Sequence, residues 1–268
     1  MCSPIINPRV FSNEYYSFII DVGCEFYDHI NPSGIKVYQT VMVNLPDLSE
    51  KTQVLSIASI ISRTKASCLY LIFKSETPPR RELNETSEIS GAMLLINTLE
   101  KSGIRVLVGF CSSDVVLWKE AGASNCASGK FFNLRRFTSS RWNPDEENGG
   151  GQLPYWFEES LMAFLREPDF IRTQRAGILS EASQNNPYLM EINEKLGIGT
   201  PWLGLSWRQY LWWFQNIESR LSTKVVYAFD LLKTADMNWS IVDKQRIIFD
   251  ERRNDGSWIR PWLRAITE

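Results

Sequence analysis

The stretch that most constrains the fold is 103–142, GIRVLVGFCSSDVVLWKEAGASNCASGKFFNLRRFTSSRW. Residues 104–110 form a short apolar run, rich in β-branched side chains and bounded by Gly103 and a polar cluster. Such a run predicts a strand buried on both faces, which belongs in a mostly parallel sheet. Ser112, Ser113 and Asp114 follow, all residue types that cap helices. The amphipathic segment 115–121 stops at Gly122, and a weaker strand over 123–127 ends in Ser128-Gly129-Lys130. The unit reads β-turn-α-turn-β, and its crossover should be right-handed.

Open parallel sheets and barrels bind ligands at the carboxyl ends of their strands. That rule puts 111–114 and 128–130 on one rim. Beyond it stand Lys130, Arg135, Arg136 and Arg141, interleaved with Phe131, Phe132, Phe137 and Trp142 and free of acids. A phosphate or a nucleic-acid backbone suits such a patch, because the arginine fork is bidentate. The competing reading is a loop whose aromatics pack inward and whose arginines pair with Asp145, Glu146 and Glu147. A nucleotide P-loop is excluded: Phe131 follows Gly129-Lys130, and Ser124 stands where the first glycine is needed.

Composition narrows the classes. A chain of 268 residues can bury a large core as one domain or two. The net charge of −2 argues against a general nucleic-acid coat but leaves local basic patches open. Five widely spaced cysteines without a CxxC read as buried free thiols of a reducing compartment, so the expected location is the cytoplasm. Cys111 at the rim would need a base to act as a nucleophile, and the one histidine is His29. A single histidine also speaks against a zinc site, and no metal ligands are assigned. The N-terminus lacks the pattern of a signal peptide, and no apolar run approaches the ~18–20 residues that span a bilayer.

Taken in order, 16–22 (YSFIIDV) predicts an apolar strand with Asp21 near its end, followed by Glu25, Asp28 and His29. Asn31-Pro32-Ser33-Gly34 is a turn signal. The period-2 run over 35–44 predicts a strand with one wet face, either in a hairpin with the first or at a sheet edge. Next come a helix over 48–65 capped by Ser49, a buried strand over 68–73, a proline-broken loop over 77–81, and a helix over 88–101. The glycine-rich segment 146–154 separates an α/β region (1–145) from a mainly helical one (155–268), which either stands apart or completes the first. In the second region helices are expected over 155–166, 169–182, 187–196 and 206–221, and strand-like runs over 224–229 and 247–249.

The expected fold class is therefore α/β: a mostly parallel sheet of β/α units, open or an incomplete barrel, followed by a tryptophan-rich helical half. At the level of fold, 68–137 resembles consecutive units of a (β/α)-barrel. The N-terminal strand with its aspartate resembles the start of an RNase H-like fold, which would imply further carboxylates around two metals.

Nine of the ten tryptophans stand at or after Trp142. In 206–221, Trp207, Tyr210, Leu211, Phe214 and Ile217 share one helical stripe, and Trp212 and Trp213 widen it beyond a single face. The helix is either wedged between layers of its own protein, or Trp207, Tyr210, Trp212 and Trp213 anchor a partner. A membrane-surface helix would need more flanking cations than Arg208 and Arg220.

Two functions compete. One is a non-catalytic binding or scaffold subunit of a larger assembly, with a protein partner and an anion patch at 130–141. The other is a hydrolase or transferase on a phosphorylated or nucleotide-like substrate. There Asp21, Glu25 and Asp114 would serve as acid, base or Mg2+ ligands at the strand rim.

Overall fold

The computed structural model of the chain describes residues 1–138, 153–251 and 254–268. Arg141, Trp142, the acids 145–147 and most of the glycine-rich boundary lie outside them. The chain divides into two compact units, Met1–Arg141 and Trp142–Thr267.

The first unit is a four-stranded parallel sheet in sequence order: β1 (Gln39–Asn44), β2 (Cys68–Lys74), β3 (Arg105–Gly109) and β4 (Asn125–Cys126). The helices are α1 (Asn13–Ile30), α2 (Lys51–Ile61), α3 (Thr86–Lys101) and α4 (Val115–Glu120). Strands that pair in sequence order, joined by right-handed crossovers, place every connecting helix on one face. Successive packing of α1 on α2, α2 on α3 and α3 on α4 forms that layer. This is the winding of an incomplete (β/α)-barrel. Val41, Leu71, Val108 and Cys126 lie in one row facing the helices, and all are buried. The opposite face carries Met42 and Ile72, which are covered by Phe137, Ile5 and Phe11.

That covering explains a departure from the expected wet face of the strand over 35–44. Gln39 to Val43 are all buried, because the N-terminal arm lies along β1. The arm bridges Cys2 to Tyr38, and Ser3 accepts twice from Thr40, from its amide at Oγ and from its Oγ1 at the carbonyl, both at 2.8 Å. On the other side Gln39 Nε2 donates to the Ile19 carbonyl of α1 at 3.0 Å.

A larger correction concerns 16–22, which is helix rather than strand. Tyr15, Tyr16, Ile19, Ile20 and Gly23 are the buried residues of α1, spaced by three and four, and Ser12 caps the helix by accepting from the Tyr15 amide. The RNase H-like resemblance and the hairpin alternative both fall with that strand. The helix expected over 48–65 is shorter. Leu45–Ser49 is a 3-10 turn, and α2 begins at Lys51 with no side-chain cap from Ser49. This turn lies so close to α3 that a Cβ on Gly91 would sit 1.8 Å from the Leu48 carbonyl oxygen. Backbone cannot yield as a side-chain tip does, so Gly91→Ala is expected to lose about 1–3 kcal/mol in urea denaturation.

The second unit opens with a β-hairpin where a helix over 155–166 was expected. Its strands are β5 (Trp156–Glu158) and β6 (Ala163–Leu165), paired antiparallel. The turn is held locally. Glu158 is fully buried and accepts from Trp156 Nε1 (3.0 Å) and from the amides of Ser160 (3.0 Å) and Ser180 (2.9 Å). Met162 takes a left-handed backbone, φ 50°, at the turn's end. The helices are α5 (Glu167–Arg175), α6 (Glu181–Gln184), α7 (Leu189–Gly197), α8 (Leu203–Ser222), α9 (Ala228–Lys244) and α10 (Ile259–Thr267). The strand-like runs over 224–229 and 247–249 are not strands; the first leads into α9. Trp239 of α9 is anchored by donating to the Leu161 carbonyl at 3.0 Å, and it packs edge-on against Phe249 and Trp258. Among the described residues no helix is long and apolar enough to cross a membrane.

Candidate functional site

Among the described residues, polar groups meet a concavity at the carboxyl rim of the first unit's sheet and in a groove along α9 in the second.

At the rim, three loops meet. Ser75 follows β2, Ser112 to Asp114 follow β3, and the segment after β4 returns so that Phe137 bridges Lys74 and accepts the Ser75 amide at 3.0 Å. That return carries Arg136 inward. Its Nη2 lies 3.3 Å from Asp114 Oδ2 and 3.5 Å from Glu82 Oε2, and the three side chains are 3%, 5% and 10% exposed. Asp114 stands at the N-cap of α4 as expected from its position, but its side chain makes no cap hydrogen bond. It has helical backbone angles and turns back to accept the Ser112 amide at 2.7 Å. The chain leaves β3 through Phe110 in a left-handed conformation, φ 58°, a strained arrangement for a bulky residue. A cavity of about 20 Å3 remains between Asp114, Arg136, Ser75 and the aromatic walls Phe73, Phe110 and Trp118. That is room for about one water and for no substrate. Arg136 Nη1 is buried there without a hydrogen-bond partner in the protein.

Two carboxylates facing one guanidinium leave a buried charge of −1, and burial resists it. Burial lifts the Glu82 carboxyl to about 7; Arg136 opposes the rise, and the Asp114 charge adds to it. Burial also raises Asp114, against Arg136, the Ser112 amide and the Trp118 indole. The folded state therefore binds the Glu82 proton more tightly than the unfolded chain, where the carboxyl titrates near 4.5. Stability from this group is complete below that value and disappears as pH rises through 7, by at most roughly 3 kcal/mol. We expect urea unfolding, followed at the amides of β2 and β3, to show falling stability from pH 5 to 8. Glu82→Gln should flatten that slope; an unchanged slope would place the titration elsewhere.

The other anticipated site residues scatter. Asp21 and Glu25 are exposed on α1. Asp21 pairs with Arg63 at 3.1 Å and Asp28 with Lys65, and both cations stand in the turn entering β2. These carboxylates thus flank the amino end of the sheet, opposite the rim, because 16–22 is helix. Among the described residues no cluster of three or more His, Cys, Asp or Glu could hold a metal. Of the basic stretch, Lys130, Arg135 and Arg136 lie among the described residues. Arg135 is buried and donates to the carbonyls of Gly129 and Lys130, both at 3.0 Å, bracing its own loop. Arg136 turns to the carboxylates, and Lys130 is exposed over the Phe131 ring. Cys111 is buried, and burial together with the neighbouring Cys126 thiol pushes its thiol well above the ordinary range, so it is no thiolate nucleophile.

Of the anticipated anchors, Tyr210 and Trp213 are core. Trp213 lies 3.9 Å from Phe157, centroid to centroid, and donates to Glu159 Oε2 at 2.9 Å. Trp207 and Trp212 are half-buried.

The groove of the second unit was not anticipated. It measures about 550 Å3 and runs between the 176–181 segment and the face of α9 that carries Asp230, Leu231, Thr234, Asn238 and Ile241. The hairpin turn, Glu159 and Ser160, also lines it, and Asn238 Nδ2 donates to the Ser160 carbonyl at 3.0 Å. The spacing of the α9 residues is one helical stripe, roughly 20 Å long from Asp230 to the helix end at 1.5 Å per residue. Three acids line it, Glu159, Glu181 and Asp230, and no Lys or Arg. Glu159 is satisfied by Trp213 and by Arg220 at 2.9 Å. Glu181 and Asp230 are exposed and in no ion pair among the described residues. The sequence carries its signal as the period of 230, 234, 238 and 241, just past the strand-like run expected over 224–229, where no helix is expected. No known family, curated protein or solved structure matches this chain.

Proposed function

We propose that the chain is a non-catalytic binding protein whose ligand site is the groove along α9, and that the ligand is cationic and partly apolar. One observation carries this reading: the groove has the volume of a ligand site, mixed polar and apolar walls, and carboxylates without a compensating cation. The other candidates are consumed by the protein itself. The rim holds room for about one water, the rim arginines are bound internally, and the central tryptophan of α8 is core. The test is an amide NMR titration with 2-phenylethylamine. Shifts confined to 176–181 and 226–245, abolished by Thr234→Trp, are the expected result. Shifts scattered over the surface, or none at millimolar amine, would sink the reading.

A second reading has the rim behind it. A carboxyl held near 7 beside a second acid and an arginine at the strand ends is the equipment of an acid–base hydrolase or transferase. It requires the Phe110 and 135–138 segments to open. Turnover of p-nitrophenyl phosphate or a nucleotide, with or without Mg2+, that vanishes in Glu82→Gln would support it. No turnover by the wild type across a nucleotide panel counts against it.

A further inference from the structure

We infer that the occupant of the α9 groove is a basic amphipathic helix of a partner protein, an inference that rests on the binding role just proposed. The shape argues first. The lining of α9 is a single stripe roughly 20 Å long, which about 14 residues of a second helix would match. A stripe of side chains three and four apart is a ridge-and-groove surface, the kind on which helices pack. Its apolar members, Leu231 and Ile241, are separated by polar Thr234 and Asn238, and Ile241 is 37% exposed. That pattern suits an occupant with apolar residues at i, i+3, i+4 and i+7.

Charge argues next. Asp230 stands at the amino end of the stripe and Glu181 on the opposite wall, so carboxylates face the groove from both sides. Glu159, in the hairpin turn, is already neutralised by Arg220. A helix with lysines or arginines flanking its apolar face meets both unpaired acids while its leucines cover Leu231 and Ile241. An acidic helix meets repulsion on both walls, and that repulsion sets specificity.

The experiment uses the full chain and three fluorescein-labelled 14-residue peptides: an amphipathic Leu/Lys helix, its Leu/Glu counterpart, and a Leu/Lys peptide of the same composition scrambled to destroy the apolar face. Fluorescence anisotropy should show binding of the first alone. Asp230→Lys combined with Glu181→Lys should weaken it at least 10-fold, whereas Asp243→Lys, exposed on the far side of α9, should leave it within twofold. Equal binding of the scrambled peptide, or indifference to the groove reversal, overturns the inference. If 2-phenylethylamine shifts the groove amides and the Leu/Lys helix does not bind, the helix inference fails while the groove remains a ligand site. If neither binds, both readings fail.

Discussion

Arg136→Met is expected to lose about 3–5 kcal/mol of stability in the first unit at pH 7. Arg136 is the counter-charge that the strand rim provides for two buried acids, at 3.3 Å from Asp114 and 3.5 Å from Glu82. Methionine fills similar space, so the loss is electrostatic rather than a cavity effect. It leaves two carboxyls facing each other with no cation, and both must take up protons to stay buried. The deficit should therefore shrink as pH falls, the reverse of what loss of packing would give. Removing all three charges together, Glu82→Gln, Asp114→Asn and Arg136→Met, should recover most of it, since a buried ion network adds little beyond a well-packed neutral replacement. The measurement is urea unfolding followed at the β2 and β3 amides, at pH 5 and pH 8. A single substitution that costs less than 1 kcal/mol, or a triple variant as unstable as the single one, would show that the network does not carry the rim.

The reach of sequence reasoning can be judged from particular elements. β2 and β3 are continuous apolar runs closed by polar residues or glycine, and α3 carries an unbroken stripe. Nothing at longer range competes with those local signals, and the structure places all three as expected. The run over 16–22 failed because a short, wholly apolar stretch has no period of its own. The arbiter lay outside the window, in the Ser12 cap and the repeat of Tyr16, Ile19, Ile20 and Gly23. The hairpin at 156–165 offers no glycine or Asn-Gly turn. It is held instead by Glu158 accepting three donors, one of them from Ser180, and such a contact has no local signature. The rim failed in the same way. Asp114 and Arg136 were each recognised as notable, for different roles, but their partner Glu82 lies 54 residues before the arginine in a proline-broken loop. Local pattern tells where a charge stands along the chain and not which charge it meets.

Trp213→Ala is expected to cost about 3–5 kcal/mol in the second unit, while Trp212→Ala costs less than about 1 kcal/mol. The two residues are neighbours in sequence, and adjacent positions on a helix point about 100° apart, so one enters the core and the other stays half-buried. Trp213 is 2% exposed and fits between Phe157 of the hairpin, 3.9 Å away, and Tyr210 of its own helix, 5.9 Å away. Its indole also donates to Glu159 at 2.9 Å, and the same carboxylate holds Arg220 at 2.9 Å. Alanine removes both the ring and the donor. Phenylalanine separates them: Trp213→Phe keeps most of the packing and should cost about 1.5–3 kcal/mol, the value of a hydrogen bond to a charged group. This ordering decides how the aromatic helix can be tested as an interface. A double substitution of Trp212 and Trp213 would lose a partner simply by unfolding the unit, whereas Trp212→Ala alone leaves the core standing. If Trp213→Ala proves as mild as Trp212→Ala in thermal and urea unfolding, then α8 does not organise the second unit, and the hairpin beneath it must be held by other elements.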